Sequence, residues 1–505
     1  MSSNFKNIFR FDNLTFLLAI LVFGVTAYNS HGWYYADEQY QIIEFAGIKT
    51  GTHTADDMAW EFNARLRSTV QPTLCYLIFT VLNTVHITDQ YQQVFVLRLI
   101  TAILALLIIR LFIKRTEHLF PVESDRKLYH LLSYFLWFIP FISVRFSSET
   151  WSGLLFMLSL VVFFGNSREK IKPFLLGIVF GLSFLFRYQL GFAILGFVLW
   201  MIFIHKIKWD YLLKTGISFV IIVFLGFCLD SWFYGETVFA PWNYLKSVLE
   251  SKGSGFGTSP WYFYLKELIF YPTPVVGIPL LISFILLMIY QPKNLYLWCI
   301  IPFVIIHSLI PHKEDRFMFS IVYMLPVILT QGYVLLRKII RNKKVMKVLG
   351  YSLAVLFIIV NGTGLAVMSQ KSAGMGRMEI SRYIHKTYGD ENTNLIYCTR
   401  ANPYRPWHGK YSKYYMESNM IDRHIQNLCE LDESMFFPDR INLVVLKKIE
   451  LQNPECSKKI EQYHLSFQLQ SIPTWIQSIN KLYRGFKDED VVLLYRYEGK
   501  EQDTR

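Results

Sequence analysis

Two short stretches of this 505-residue chain hold residue types that could move a proton or grip an anion. The first reads His31-Gly-Trp-Tyr-Tyr-Ala-Asp37-Glu38-Gln-Tyr-Gln41-Ile-Ile-Glu44 and follows directly on an apolar run. Paired acids among aromatics suit a carboxylate acting as general base, which must come within hydrogen-bond reach of the hydroxyl it deprotonates. The plainer reading makes Asp37 and Glu38 the acidic start of an interfacial helix running through Glu44. The second stretch, Pro311-His312-Lys313-Glu314-Asp315-Arg316-Phe317, packs five ionisable residues between two apolar runs. Ionisable groups at membrane depth are costly and point to function. His312, Lys313 and Arg316 could meet negative charge developing on a leaving group, arginine through paired hydrogen bonds and lysine as a point charge. The plainer reading has these side chains reaching out to lipid headgroups.

Three further patches are weaker. Arg145-Phe-Ser-Ser-Glu149 spaces an Arg and a Glu four apart, which permits an ion pair on one helical face. Arg187 closes an apolar run. Asp230-Ser-Trp-Phe-Tyr234-Gly235 and Pro241-Trp-Asn243-Tyr244 are aromatic, which suits either an interfacial belt or stacking on carbohydrate.

Lipid must be the solvent for the elements that position these residues. Charged residues make up 18% of the chain, against about 25% in soluble domains. The net charge of +13 would fit nucleic acid, but the Lys and Arg residues fall in short clusters between apolar runs. That distribution follows the positive-inside rule, so no nucleic-acid partner is expected. The first apolar run lacks a small-residue cleavage site and reads as a spanning helix, not a removable signal.

Eleven stretches approach the roughly 20 apolar residues that a span needs: 14–28, 94–113, 128–146, 151–164, 173–186, 190–204, 215–229, 274–290, 295–310, 317–336 and 348–368. Basic clusters near Lys6 and Arg10, Lys114 to Lys127, Arg168 to Lys172, Lys206 to Lys214 and Arg337 to Lys347 all fall on the cytoplasmic face if 71–87 does not cross. That stretch is polar for a span and reads as re-entrant or interfacial. The N-terminus is then inside, the C-terminus outside, and both chemistry-bearing stretches share the outer face. Residues 1–369 read as the membrane domain and 370–505 as a small outer α/β domain. Within the latter, 378–388 reads as a helix, and 394–397, 441–447, 465–471 and 491–497 as strands bounded by turn residues. The six cysteines include no Cys-x-x-Cys pair; Cys398 and Cys429 would pair in an oxidising compartment or else remain thiols. No internal inverted repeat of the transporter kind is evident.

Taken in order, the patches resemble the Alg9-like mannosyltransferases of glycosyltransferase family 22, within the GT-C superfamily. The resemblance rests on Asp37-Glu38 with Gln41 and Glu44; Trp60-Glu61, then Arg67-Ser68 before Pro72; Arg145 and Glu149; Asp230-Ser231, Tyr234-Gly235, Pro241 and Asn243; and Gly257 with Pro260-Trp261-Tyr262-Phe263-Tyr264. Its most specific piece is His312-Lys313-Glu314-x-Arg316-Phe317. Phe62 stands where the family usually has Trp. Within the family the tail echoes the branch that adds the third mannose of GPI anchors, through Cys398, Pro403-Tyr404, His408, Leu428-Cys429 and Asp432-Glu433, with Arg405-Pro406 departing from it.

The resemblance implies an all-α polytopic GT-C membrane fold bearing the small outer α/β domain. It further implies inverting transfer of a sugar, usually mannose, from a polyprenyl-phosphate donor to a lipid-linked glycan. In that picture Asp37 is the general base and Glu38 positions the acceptor. His312, Lys313, Arg316, Arg67 and Arg187 hold the donor phosphate. Glu61, Arg145, Glu149, Asp230, Tyr234, Trp261 and Tyr262 line the substrate groove. The outer loops hold no Asp-x-Asp motif, so neither metal nor cofactor is expected. The family works at the lumenal face of the endoplasmic reticulum or the outer face of a bacterial plasma membrane. The competing expectations are a transferase for another polyprenyl-phosphate hexose and a lipid-linked sugar transporter.

Overall fold

The computed structural model describes residues 10–499 except 166–168, 252–256, 341, 406–410, 484–485 and 488–489. Lys6, Arg168, Pro406 and His408, used above, lie outside the described residues. The chain clusters into two compact units: Met1–Tyr28, Ala64–Cys75 and Val96–Ser369 form one; Asn29–Asn63, Tyr76–Phe95 and Gln370–Arg505 form the other.

The regular elements of the first unit, among its described residues, are all helices. Among the described residues, five helices are long and apolar enough to cross a membrane: Phe11–Asn29, Gln90–Leu119, Trp209–Tyr234, Asp315–Ile339 and Gly350–Gln370. The pair Pro274–Tyr290 and Leu295–Leu309, bent by 116° at its break, adds a sixth if taken as one span. The protein is thus a multi-pass membrane protein. Three further expected spans form the shorter apolar helices Ser148–Phe164, Lys172–Phe186 and Tyr188–Phe203. At 1.5 Å per residue, a 17-residue helix reaches about 25 Å, a little less than the hydrocarbon core.

The stretch 128–146 is not one helix. Helix Glu123–Phe135 ends at Leu136, whose backbone leaves the helical region (ψ 124°), and Phe138–Ser143 follows. The break would strand backbone groups in an apolar setting, where each must be satisfied internally. The Asn361 side chain satisfies two of them. Its Oδ1 accepts from Trp137 N at 2.9 Å, and its Nδ2 donates to the Phe135 carbonyl at 2.6 Å. The stretch 317–336 also departs from expectation, opening as a 3-10 segment, Asp315–Met324, before the α-helix Leu325–Ile339.

The second unit holds a five-stranded sheet of order β2-β1-β3-β5-β4. The strands are β1 Thr393–Cys398, β2 Met420–Ile425, β3 Ile441–Lys447, β4 Leu465–Gln470 and β5 Val492–Tyr497. The first three run parallel, and β5 is antiparallel to both β3 and β4. All of β1 and the middle five residues of β3 are buried, as expected of strands covered on both faces. Helix Arg377–Tyr388 and four strands lie within a residue or two of their expected places. Strand β2 was not anticipated: its Met-Ile-Asp-Arg-His-Ile has a polar middle because it is an edge strand. The disulfide also differs from expectation. Cys429 pairs with Cys456, and Cys398 is a buried free thiol at the end of β1.

Candidate functional site

Helix Leu295–Leu309 ends at Ile310, and the chain bends over 310–312 and passes through Lys313 and Glu314 before the 3-10 segment begins. Lys313 turns inward here. Its ammonium donates to the carbonyls of Ile310 at 2.7 Å and Ser259 at 2.9 Å, and Ser259 N donates back to the Pro311 carbonyl at 2.9 Å. Burial lowers its pKa below the ordinary lysine range. The charge therefore laces two loops together as well as standing in the cationic turn.

Glu314 and Glu149 organise the remaining cations. Glu314 receives His312 Nε2 at 2.8 Å on one oxygen and Arg316 Nε at 2.5 Å on the other. Glu149 stands in the first turn of helix Ser148–Phe164, which Ser147 caps by accepting from Thr150 N at 3.2 Å. One Glu149 oxygen lies 2.7 Å from Arg187 Nη1 and 3.5 Å from Arg316 Nη1. Arg187 caps helix Lys172–Phe186 in extended backbone, and the Glu149 and Arg187 side chains are only 4% and 3% exposed. The Phe317 ring lies within 5.2 Å of Arg187 and 5.4 Å of Arg316. Two guanidiniums from distant parts of the sequence thus converge on one buried carboxylate. Arg187 Nε, buried beside them, makes no hydrogen bond; a buried donor of this kind is a place for an anion's oxygen.

The spacing of Arg145 and Glu149 did not mean a helical pair. The chain leaves the helix after Ser143 and re-enters at Ser148, so the two do not share a turn. Arg145 is instead fully buried, with its guanidinium 5.7 Å from the Phe141 ring.

A second group within this unit holds residues 65–69. Asp230, wholly buried near the end of helix Trp209–Tyr234, accepts from both Thr69 N and Thr69 Oγ1 at 2.7 Å. Four residues on, Tyr234 donates its hydroxyl to the Arg67 carbonyl at 2.9 Å. Gly235 then ends the helix in the left-handed conformation (φ 75°) that glycine adopts without steric cost. Arg65 reaches Glu236 at 2.5 Å, Asn243 Nδ2 donates to the Arg65 carbonyl, and Arg67 lies 5.7 Å from the Tyr244 ring. Asp230 and Tyr234 thus position the segment bearing Arg67. The two blocks, 161 positions apart at Thr69 and Asp230, meet only in the fold.

Trp261 and Tyr262 are exposed, at 72% and 49%. Both line a groove of about 560 Å³ whose walls are otherwise almost wholly apolar, including Phe138, Leu265, Phe284 and Ile301. Asp315 and Met318, flanking Arg316 in the chain, also line it.

The acids belong to the second unit. Asp37 and Glu38 stand in the first turn of a helix that begins at Ala36, becomes π-helical over Gln39–Ile43 and continues α-helical over Glu44–Thr50. Glu38 is buried and reaches back to accept from Tyr34 N at 3.2 Å, closing the helix start. Asp37 is half-buried. Gln41 donates to Glu61 at 3.0 Å. Burial, then the charge of Glu44, raises the Tyr40 phenol above its ordinary pKa. Sequence reasoning missed the hub role of Glu314, the Thr69 anchor and His53, which pairs with Glu44. Thr69 meets Asp230 and His53 meets Glu44 only through the fold, whereas Glu314 pairs with residues two positions away on either side, where spacing alone sets no helical or strand pattern. Among the described residues no group of three or more His, Cys, Asp or Glu side chains is placed to hold a metal.

A cluster of cations and an apolar groove thus share one frame of membrane helices. The fold is that of ArnT from Cupriavidus metallidurans, solved bound to undecaprenyl phosphate: TM-score 0.50, 11% identity, covering 96% of this chain and 97% of that one. The chain belongs to the Alg9-like mannosyltransferase family, whose profile matches residues 14–406. It is 31% identical over 139 residues to GPI mannosyltransferase 3 of Candida albicans, covering 27% of each chain. It is 26% identical over 300 residues to GPI alpha-1,2-mannosyltransferase 3 of Xenopus laevis, covering 56% of this chain and 53% of that one. Alpha-1,2-mannosyltransferase ALG9 of Saccharomyces cerevisiae matches at 29% over 147 residues, 28% of this chain and 25% of that. The matched stretches span about a quarter to a half of these relatives' lengths.

Proposed function

We propose that this protein is an inverting mannosyltransferase, moving mannose from a polyprenyl (dolichyl) phosphate donor to a lipid-linked glycan. The observation that carries the reading is the meeting of two features on one segment. Arg316, drawn with Arg187 onto Glu149, sits in the same 3-10 segment whose Asp315 and Met318 line the apolar groove. A donor with a phosphate head and an isoprenoid tail matches that pairing, cation for phosphate and groove for tail. Membership of the family supports mannose as the sugar. So does a relative from Schizosaccharomyces pombe, 31% identical over 143 residues, whose name, probable Dol-P-Man:Man(7)GlcNAc(2)-PP-Dol alpha-1,6-mannosyltransferase, gives the donor.

In the reaction Asp37 takes the proton of the acceptor hydroxyl as its oxygen attacks the anomeric carbon. The bond from that carbon to the phosphate oxygen breaks on the opposite face, and its electron pair leaves on the phosphate. A β-linked donor gives an α-linked product. Arg316, Arg187, Arg67, His312 and Lys313 offset the charge that grows on the phosphate, where preformed donors act most strongly. Glu38 and Glu61 hold the acceptor side, and Trp261 and Tyr262 line the groove. Glu149 holds Arg187 and Arg316, Asp230 and Tyr234 hold the segment bearing Arg67, and Arg145 packs against Phe141.

Residues 1–369 form the catalytic membrane domain, with eleven crossings, and 370–505 a domain on the non-cytoplasmic side, at either an endoplasmic reticulum or a bacterial plasma membrane. The Cys429–Cys456 disulfide supports that side, since such bonds persist in oxidising compartments. Membranes carrying the protein, incubated with radiolabelled polyprenyl-phosphate mannose, are expected to accumulate labelled lipid-linked glycan. Label that crosses the bilayer still on its polyprenyl phosphate, or transfer only from a different polyprenyl-phosphate hexose, would overturn the assignment.

A further inference from the structure

The acidic turn stands on an unusual support. Gln39 and Glu44 are five residues apart, and Gln39 Nε2 donates to Glu44 Oε1 at 2.6 Å, with both side chains buried. In an α-helix, neighbours on one face are three or four apart. A five-residue spacing closes because Gln39–Ile43 is π-helical, a form that occurs mostly as single turns and often at functional sites. The other Glu44 oxygen faces His53 Nε2 at 2.5 Å, with side chains 3% and 2% exposed. His53 Nδ1 lies 2.7 Å from Thr52 Oγ1, which fixes the ring from its other side. The loop bearing His53 folds so tightly on the helix that a Cβ on Gly47 would fall 2.0 Å from His53 Nδ1. Any side chain at position 47 would push the His53 ring aside.

From this arrangement we infer that His53 is a positioning residue: through Glu44 and Gln39 it holds the π-turn that sets the direction of Asp37, one turn upstream. The inference rests on Asp37 being the base. A buried carboxylate hydrogen-bonded by Gln39 on one oxygen and in close contact with the His53 ring on the other fixes its neighbours closely. Losing His53 would strand the Glu44 charge and let the turn relax to α-helix, which rotates every residue N-terminal to it, Asp37 included. Small misplacements of a reacting group cost up to about 100-fold in rate.

The test uses membranes carrying the full chain, with protein amount normalised and polyprenyl-phosphate mannose varied over the endogenous lipid acceptor. His53→Ala is expected to lower kcat by about 10- to 100-fold while the donor KM changes by less than about 2-fold. His53→Gln keeps a donor toward Glu44 and should recover most of that loss, a rescue that mere filling of space would not give. An unchanged kcat in His53→Ala overturns the inference, as does a His53→Gln variant equally impaired while still inserted. Asp37→Asn is run beside them. Full activity there overturns the base assignment and this inference together, whereas an inactive Asp37→Asn with a fully active His53→Ala overturns this inference alone.

Discussion

Removing Glu149 should cost far more than an ordinary ion pair, because it holds two buried guanidiniums. At an effective dielectric of about 20, charges 2.7 Å apart, as in the Arg187 contact, attract by about 6 kcal/mol, and those 3.5 Å apart, as with Arg316, by about 5 kcal/mol. Desolvation offsets much of this, and breaking a buried pair from one side costs about 3–5 kcal/mol. Glu149→Ala and Arg187→Ala should each lose about that much. The double variant strands no charge between the two positions, so it should lose little more than either single one. The implied coupling is about 2–3 kcal/mol. For a chain of this size each kcal/mol shifts melting by about 2 °C, so each single variant should melt about 6–10 °C lower in detergent. Thermal unfolding of the four proteins measures this directly. Losses that simply add in the double variant would refute a shared ion pair and, with it, Glu149 as the hub of the cationic site.

Three further outcomes follow from the same structure. Asn361→Ala strands a backbone N–H and a carbonyl at the Phe135–Trp137 break, which should destabilise the membrane unit by about 2–6 kcal/mol; being buried, Asn361 in its Asn-Gly-Thr sequence should also stay unglycosylated in a glycosylating host, as mass spectrometry of that peptide would record. Burial alone would lower the pKa of His385, but its two ring nitrogens meet Glu417 and Asp89, and their pull wins and raises it. The stabilisation is thus complete below the ordinary histidine value of about 6.5 and is lost as pH rises through the raised one, so melting of the second unit should fall over that window in the wild type and stay flat in His385→Gln. Cys429→Ser opens a disulfide that closes 27 residues, which loop entropy values at about 3.5 kcal/mol, whereas Cys398→Ala should leave thiol-blocked mobility on non-reducing gels unchanged.

What the sequence revealed was whatever depends on local pattern. Apolar runs of the right length marked the membrane helices, and alternating or continuous apolar runs marked β1, β3, β4 and β5. The His-Lys-Glu-x-Arg-Phe turn stood out because charge is rare between spans. What it hid depends on partners far along the chain. Nothing near Leu136 announces a broken helix, since the residue that makes the break tolerable is Asn361, more than two hundred positions away. Arg145 and Glu149 misled because spacing implies a helical pair only where a helix is continuous, and here Ser147 starts a new one. Cys429 found Cys456 instead of Cys398 because Cys398 is sealed within the sheet. Strand β2 escaped because an edge strand need not alternate. Asp230 was visible as chemistry but not as an anchor, for its role appears only once Thr69 is beside it.

The most direct test is the mannose-transfer rate of Asp37→Asn in protein that is inserted and retains its Cys429–Cys456 bond. Loss of transfer from polyprenyl-phosphate mannose, with donor binding kept near the wild-type level, is the expected result. Transfer at the wild-type rate would contradict the account, because no base would then be drawn from the acidic turn.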